Sequence, residues 1–236
     1  MTLRIRDLPS PNQDDRPTDA QIDMLILHYT GMRSGAEAIG RLCDPAPPTG
    51  IPVSSHYVVE EDGAVWRLVP EDRRAWHAGV SYWRGNRTLN GRSIGIEIVN
   101  PGHEFGYRPF PVLQLAAVCD LCLDILDRHP IPARNVVAHS DVAPNRKQDP
   151  GELFPWQDLA DNGVGLWPSS PAAASPAAAP ALLRAIGYDI PDADPATIRI
   201  ALVAFQRHWR QDRIDGEADA GTCAQLAAVA AECARR

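Results

Sequence analysis

The sequence predicts an α/β fold followed by a small three-helix domain. Three observations predict it. Over roughly the first 165 residues, short apolar and β-branched runs alternate with loops and one long helical pattern. An uncharged stretch, PSSPAAASPAAAPA from Pro168 to Ala181, then holds Pro, Ser and Ala and no large apolar residue, so it cannot build a core and reads as a semi-rigid spacer. The remaining residues, about 55 of them, show only helical spacing. The predicted units are 1–167, a linker over 168–181, and 182–236, which suits a chain of 236 residues, longer than one typical domain and shorter than two large ones.

The elements follow in order. MLILHYT, Met24 to Thr30, is short, apolar and bounded by polar residues, as a buried strand should be. SHYVVEEDGAVWRLVP reads as a hairpin turning at Glu61-Asp62-Gly63. SIGIEIVN, Ser93 to Asn100, is a strand whose alternation puts Ile94, Ile96 and Ile98 on one face and Gly95, Glu97 and Val99 on the other. From Pro111 to His129, Leu115, Val118, Leu121, Cys122, Ile125 and Leu126 recur at helical spacing, and Pro130 ends the run. NVVAHS, Asn135 to Ser140, is a further short strand with His139 near its end. In the tail, ALLRAIGY forms a helix ending near Gly187. Pro195 to Trp209 forms a second with Ile198, Leu202, Phe205 and Trp209 on one face, and Thr222 is the expected cap of a third. These three helices read as an independent bundle.

Composition narrows the function. The balance of 23 basic and 30 acidic residues gives a net charge of −7, which argues against nucleic acid as a partner, since phosphate contacts need clustered positive charge. No run approaches ~20 consecutive apolar residues, so no transmembrane helix is expected. The opening MTLRIRDLPSPNQDDRP lacks an apolar signal segment, and the expected location is the cytoplasm, or the periplasm if a leader was removed. Of the five cysteines, Cys119 and Cys122 lie in a helical run and read as small core filler rather than as a redox or metal pair.

Three features carry chemistry. His28 and His139 each lie near the end of an apolar strand, and Asp149 stands ten residues after His139 on a loop. Two imidazoles and a carboxylate suit a catalytic zinc with a fourth position left for water, though on spacing alone satisfied structural histidines are the competing reading. Glu97 is a carboxylate inside a strand. It belongs either to an exposed face or to a covered one, where burial would raise its pKa towards that of a general base. Lys147 is the chain's single lysine, two residues before Asp149, and is either a solvated surface group or an oxyanion-stabilising ammonium.

HYTG at His28, SSHYVVEEDG at Ser54, AWHAG at Ala75, SIGIEIVNPG at Ser93 and AHSDVAPNRKQDPG at Ala138 resemble, in order, the type-2 N-acetylmuramoyl-L-alanine amidases, zinc enzymes of peptidoglycan turnover. The likeness runs from about Leu25 to Trp167. The tail, through IGY, IRIALVAFQRHW and DGEADAGT, is similar to the small three-helix peptidoglycan-binding domain. The resemblance implies a mixed central sheet flanked by helices, with a zinc groove above it. It makes His28, His139 and Asp149 the Zn2+ ligands, Glu97 the catalytic carboxylate and Lys147 the transition-state partner. It implies hydrolysis of the amide between N-acetylmuramic acid, or its 1,6-anhydro form, and L-alanine of the stem peptide, with peptidoglycan fragments or polymer as partners. Tyr29, His56, Trp76, His77 and Asn90 fall in the family-like loops and are expected to bind substrate. For Trp76 and Trp83 core packing is an equal contender with the groove, and Arg33, Arg84 or Arg87 is expected to meet stem-peptide carboxylates. The alternative is a non-catalytic muropeptide-binding or sensing protein, as in peptidoglycan recognition proteins that have lost a zinc ligand. Here all three candidate ligands are present.

Overall fold

The computed structural model describes residues 4–169, 173–192 and 194–235. Its centre is a six-stranded mixed sheet in the order β1-β5-β4-β7-β3-β8, formed by β1 (Ile5–Asp7), β3 (Met24–Tyr29), β4 (Tyr57–Val59), β5 (Val65–Arg67), β7 (Ser93–Ile98) and β8 (Val136–Ala138). β2 (Gln13–Asp15) and β6 (Arg73–Ala75) form a separate antiparallel pair. The central strand β3 pairs in parallel with both β7 and β8, and its near-continuous apolar sequence is what a strand buried on both faces requires. β4 and β5 form the expected hairpin, with Gly63 at φ +85° in its turn.

The two faces are covered differently. Leu25, Leu27, Ile94, Ile96 and Ile98 meet Val118, Leu121, Cys122 and Ile125 of α3 (Val112–Arg128) and Trp156 and Leu159 of α5 (Trp156–Asp161). Cys122 is fully buried and burial pushes its thiol pKa upward, which fits packing rather than redox chemistry. On the opposite face α1 (Gly35–Cys43), capped by Ser34, places Leu42 near Val58, Leu68 and Val99. The short α2 (Gly102–Phe105) follows β7.

Met24 and Ile26 of β3, Val137 of β8, Trp83 and Val142 share one core with the C-terminal helices α6 (Ala179–Ile186), α7 (Pro195–Trp209) and α8 (Ala220–Ala234). Leu183, Phe205, Leu226 and Val229 are fully buried in it. The three helices are therefore not a bundle with a core of its own. A unit of about 55 residues buries too little apolar surface alone, and this one completes its core against the sheet. α6 also begins at Ala179, inside the expected spacer, because a proline in the first helical turn loses no hydrogen bond. Residues 170–172 of that spacer lie outside the described residues. Asp219, not Thr222, caps α8, its Oδ1 accepting from the Thr222 N–H at 2.8 Å. His139 does not end a strand. The Asp141 side chain accepts the Ala138 N–H at 2.8 Å, and the chain turns into the short helix α4 (His139–Val142). No described helix is long and apolar enough to cross a membrane.

Candidate active site

The open end of β3 and β7 carries the site. His28 and Glu97 are register partners on these parallel strands, so their side chains leave the sheet on the same face. α4 brings His139, and the loop after it returns Asp149. His28 Nδ1 lies 2.9 Å from His139 Nδ1 and 3.1 Å from Asp149 Oδ2, and His139 Nδ1 lies 3.0 Å from the same oxygen. All three residues are buried.

The protons can be placed from the outer partners. The Ser93 hydroxyl donates to the Leu89 carbonyl at 2.7 Å, so Ser93 Oγ accepts from His77 Nε2 at 3.1 Å. His77 Nδ1 then accepts from His28 Nε2 at 3.0 Å, which leaves the lone pair of His28 Nδ1 facing the site. His139 Nε2 donates to the Ala78 carbonyl at 3.2 Å, which leaves its Nδ1 lone pair facing the same point. Burial, followed by the neighbouring His139, lowers His28 to about 4, and burial holds His77 well below its ordinary value, so both imidazoles are neutral at pH 7. Two lone pairs and a carboxylate converging within 3.1 Å of one another repel unless a cation lies between them, so this donor set fits a divalent ion. These three residues form the metal-competent cluster found among the described residues.

Glu97 and Lys147 line the same groove, an open cavity of about 250 Å³ that also includes Tyr29, Arg41, Trp76 and His77. Glu97 Oε2 is buried with no hydrogen-bond partner among the described residues. Burial, and then the charge of Asp149, raises the Glu97 pKa well above normal, while Lys147 opposes the rise. Its face of β7 is therefore the covered one.

Tyr29 and Trp76 line the groove, with Trp76 Nε1 donating to Asp14 Oδ1 at 3.1 Å. His77 touches the groove, and its hydrogen bonds make it the holder of His28. His56 and Asn90 do not reach the groove, and their expected contact with substrate is corrected. His56 is fully buried, its Nδ1 accepting from the Gly95 N–H at 3.0 Å and its Nε2 donating to the Arg73 carbonyl at 3.2 Å. Asn90 Oδ1 accepts the N–H groups of His77 and Ala78 at 3.2 and 2.8 Å, fixing the loop behind the site. Trp83 belongs to the core. Arg84 donates to the Ala185 and Ile186 carbonyls of α6, and Arg87 pairs with Asp189 at 2.6 Å, so both serve the junction with the tail. Arg33 lies over the Phe105 ring. The groove's arginine is instead Arg41 of α1, a helix that the sequence reading did not pick out. Sequence reasoning also missed Ser93, Asp141 and Arg16, whose guanidinium donates to the Ser93 carbonyl at 3.0 Å.

Comparison with known proteins agrees with this geometry. The family profile described as N-acetylmuramoyl-L-alanine amidase matches residues 18–152. The chain is 40% identical over 227 residues to N-acetylmuramoyl-L-alanine amidase AmiD of Escherichia coli K12, covering 86% of this chain and 80% of that protein. It is 36% identical to 1,6-anhydro-N-acetylmuramyl-L-alanine amidase AmpD of the same organism, over 64% of this chain and 87% of that one. The structure of E. coli AmiD in complex with anhydro-N-acetylmuramic acid-L-Ala-D-gamma-Glu-L-Lys superposes with a TM-score of 0.79 at 38% identity, covering 92% of both chains. AmpDh3 of Pseudomonas aeruginosa, in complex with an anhydromuramic pentapeptide, gives a TM-score of 0.80 at 32% identity over 95% of this chain and 98% of that one. The chain belongs to the N-acetylmuramoyl-L-alanine amidase family.

Proposed function

We propose that this protein hydrolyses the amide between the lactyl group of N-acetylmuramic acid, in its 1,6-anhydro form or in larger peptidoglycan fragments, and L-alanine of the stem peptide, using zinc held by His28, His139 and Asp149. The carrying observation is the convergence of three acceptor atoms beside the groove, next to Glu97, whose buried Oε2 has no hydrogen-bond partner among the described residues. A zinc ion bound there supplies the positive charge that acidifies water and polarises a carbonyl. Glu97, with its raised pKa, takes a proton from the attacking water as the C–O bond forms. Lys147 places its ammonium against the carbonyl oxygen as negative charge develops there. When the C–N bond breaks, Glu97 returns the proton to the departing amine, so the products are a free lactyl carboxyl and an L-alanyl peptide. Trp76 and Tyr29 give flat surfaces for sugar or peptide, and Arg41 gives a cation for a stem-peptide carboxylate.

Metal analysis combined with mass spectrometry of an anhydro-muropeptide digest tests this reading. Asp149→Ala should retain no stoichiometric zinc and release no peptide. Glu97→Gln should keep zinc while kcat falls by roughly 10²- to 10⁴-fold. Full turnover by zinc-free protein in a chelator would overturn it.

A further inference from the structure

We propose that the C-terminal helices act as a positioning clasp on the metal ligands, through Asp141. The proposal deepens the metal reading above and rests on it. Asp141 is 1% exposed and sits two positions after His139 in the four-residue helix α4. Its Oδ1 accepts the Tyr188 hydroxyl at 2.6 Å, and its Oδ2 accepts His208 Nδ1–H at 2.7 Å beside the local Ala138 N–H. Tyr188 follows α6 and His208 lies in α7, so both outside donors come from the tail. The His208 ring is fixed in turn, stacked against Trp156 at 3.8 Å and Trp209 at 3.5 Å.

This turn governs two ligands, not one. It carries His139, and its Ser140 N–H donates to the backbone carbonyl of Asp149 at 3.0 Å. The tail grips the loop beyond Asp149 as well. Arg207 Nε meets Glu152 Oε2 at 3.3 Å, and Gln211 Nε2 donates to the Phe154 carbonyl at 2.6 Å. Adhesion alone needs none of this, because Leu183, Phe205 and Val229 already join the tail to the sheet. A buried carboxylate is costly unless its acceptor sites are filled, and what it adds over apolar contact is direction. The three donors hold Asp141 at one position and so fix where His139 Nδ1 and Asp149 Oδ2 meet His28. Tyr188, His208 and Asp141 are positioning residues, acting through the ligands without touching the reacting atoms.

The test uses full-length protein. Zinc affinity is measured by chelator competition, the visible absorption of the cobalt(II)-substituted form reports ligand geometry, and melting of the metal-free protein reports the fold. Tyr188→Phe and His208→Phe each remove one donor while keeping the ring. Each should weaken zinc binding by roughly 10-fold, the lower end of what outer-sphere partners of metal ligands usually cost, and shift the cobalt bands. Leu226→Ala, in α8 of the joint core, should lower the melting temperature while leaving zinc affinity and the cobalt spectrum as in the wild type. Wild-type zinc affinity in both ring variants would overturn the clasp, as would a loss of zinc in Leu226→Ala that follows its loss of stability. A wild type that takes up neither ion would overturn the metal reading, and the clasp with it.

Discussion

Glu97 carries an electrostatic cost that can be measured without substrate. Its pKa is raised in the folded protein, so the folded chain holds that proton more tightly than the unfolded chain does. The corresponding stability is fully present below the unfolded value and is lost as pH rises through the folded one. Metal-free wild type should therefore lose melting temperature relative to metal-free Glu97→Gln between pH 5 and pH 8, with the two converging at the acid end. Zinc should shrink the gap, since a nearby cation favours the carboxylate. Parallel melting profiles across that range would show that the carboxylate is not desolvated. His28 sets a different limit. With burial lowering it to about 4, protons compete with zinc for its Nδ1 only near that pH, so zinc retention should be flat from pH 8 to pH 6 as far as this residue is concerned.

At the scale of single elements, β7 shows how a strand is shaped by what lies above it. A Cβ on Gly95 would fall 2.5 Å from His77 Cγ and Nδ1, so only glycine lets the imidazole lie over the strand and reach His28. Gly95→Ala should cost roughly 1 to 3 kcal/mol in urea denaturation, as overpacking does, and should also weaken zinc binding by moving His77. Gly40→Ala is the matched control. It lies within α1 with nothing inside 4 Å of the added Cβ, and should be neutral or stabilising by up to about 1 kcal/mol. Equal losses from both substitutions would remove the steric account. This strand also shows what a sequence reveals and what it hides. The alternation of SIGIEIVN gave its two faces correctly, and the apolar run of MLILHYT gave the central strand, because periodicity and burial are written into neighbouring residues. The roles of Gly95, His77, His56 and Asn90 were not legible, since each depends on a partner brought across the sheet or from a distant loop. His28 and Asp149 stand 121 positions apart, and the motif likeness rather than spacing is what joins them at the level of sequence. The short pieces β1, β2, β6, α2 and α5 gave no periodic signal long enough to read.

The molecule as a whole behaves as one packed body. The proline- and alanine-rich stretch suggested two independent units, because composition describes a linker and is silent on what its flanks bury against. The core instead runs from Met24 and Ile26 through Trp83 and Val142 into Leu183, Phe205 and Val229. Shared burial of this kind couples unfolding, since neither side keeps its apolar surface covered when the other opens. Calorimetry of the full-length chain should therefore show a single transition. Phe205 is fully buried in the joint core, its ring stacked 5.2 Å from that of Trp209. Phe205→Ala should cost roughly 3 to 5 kcal/mol and lower the whole transition by roughly 6 to 20 °C, catalytic part included. Separate units would instead give an early melt of the tail followed by an unchanged transition of the sheet, and that pattern would refute the common core.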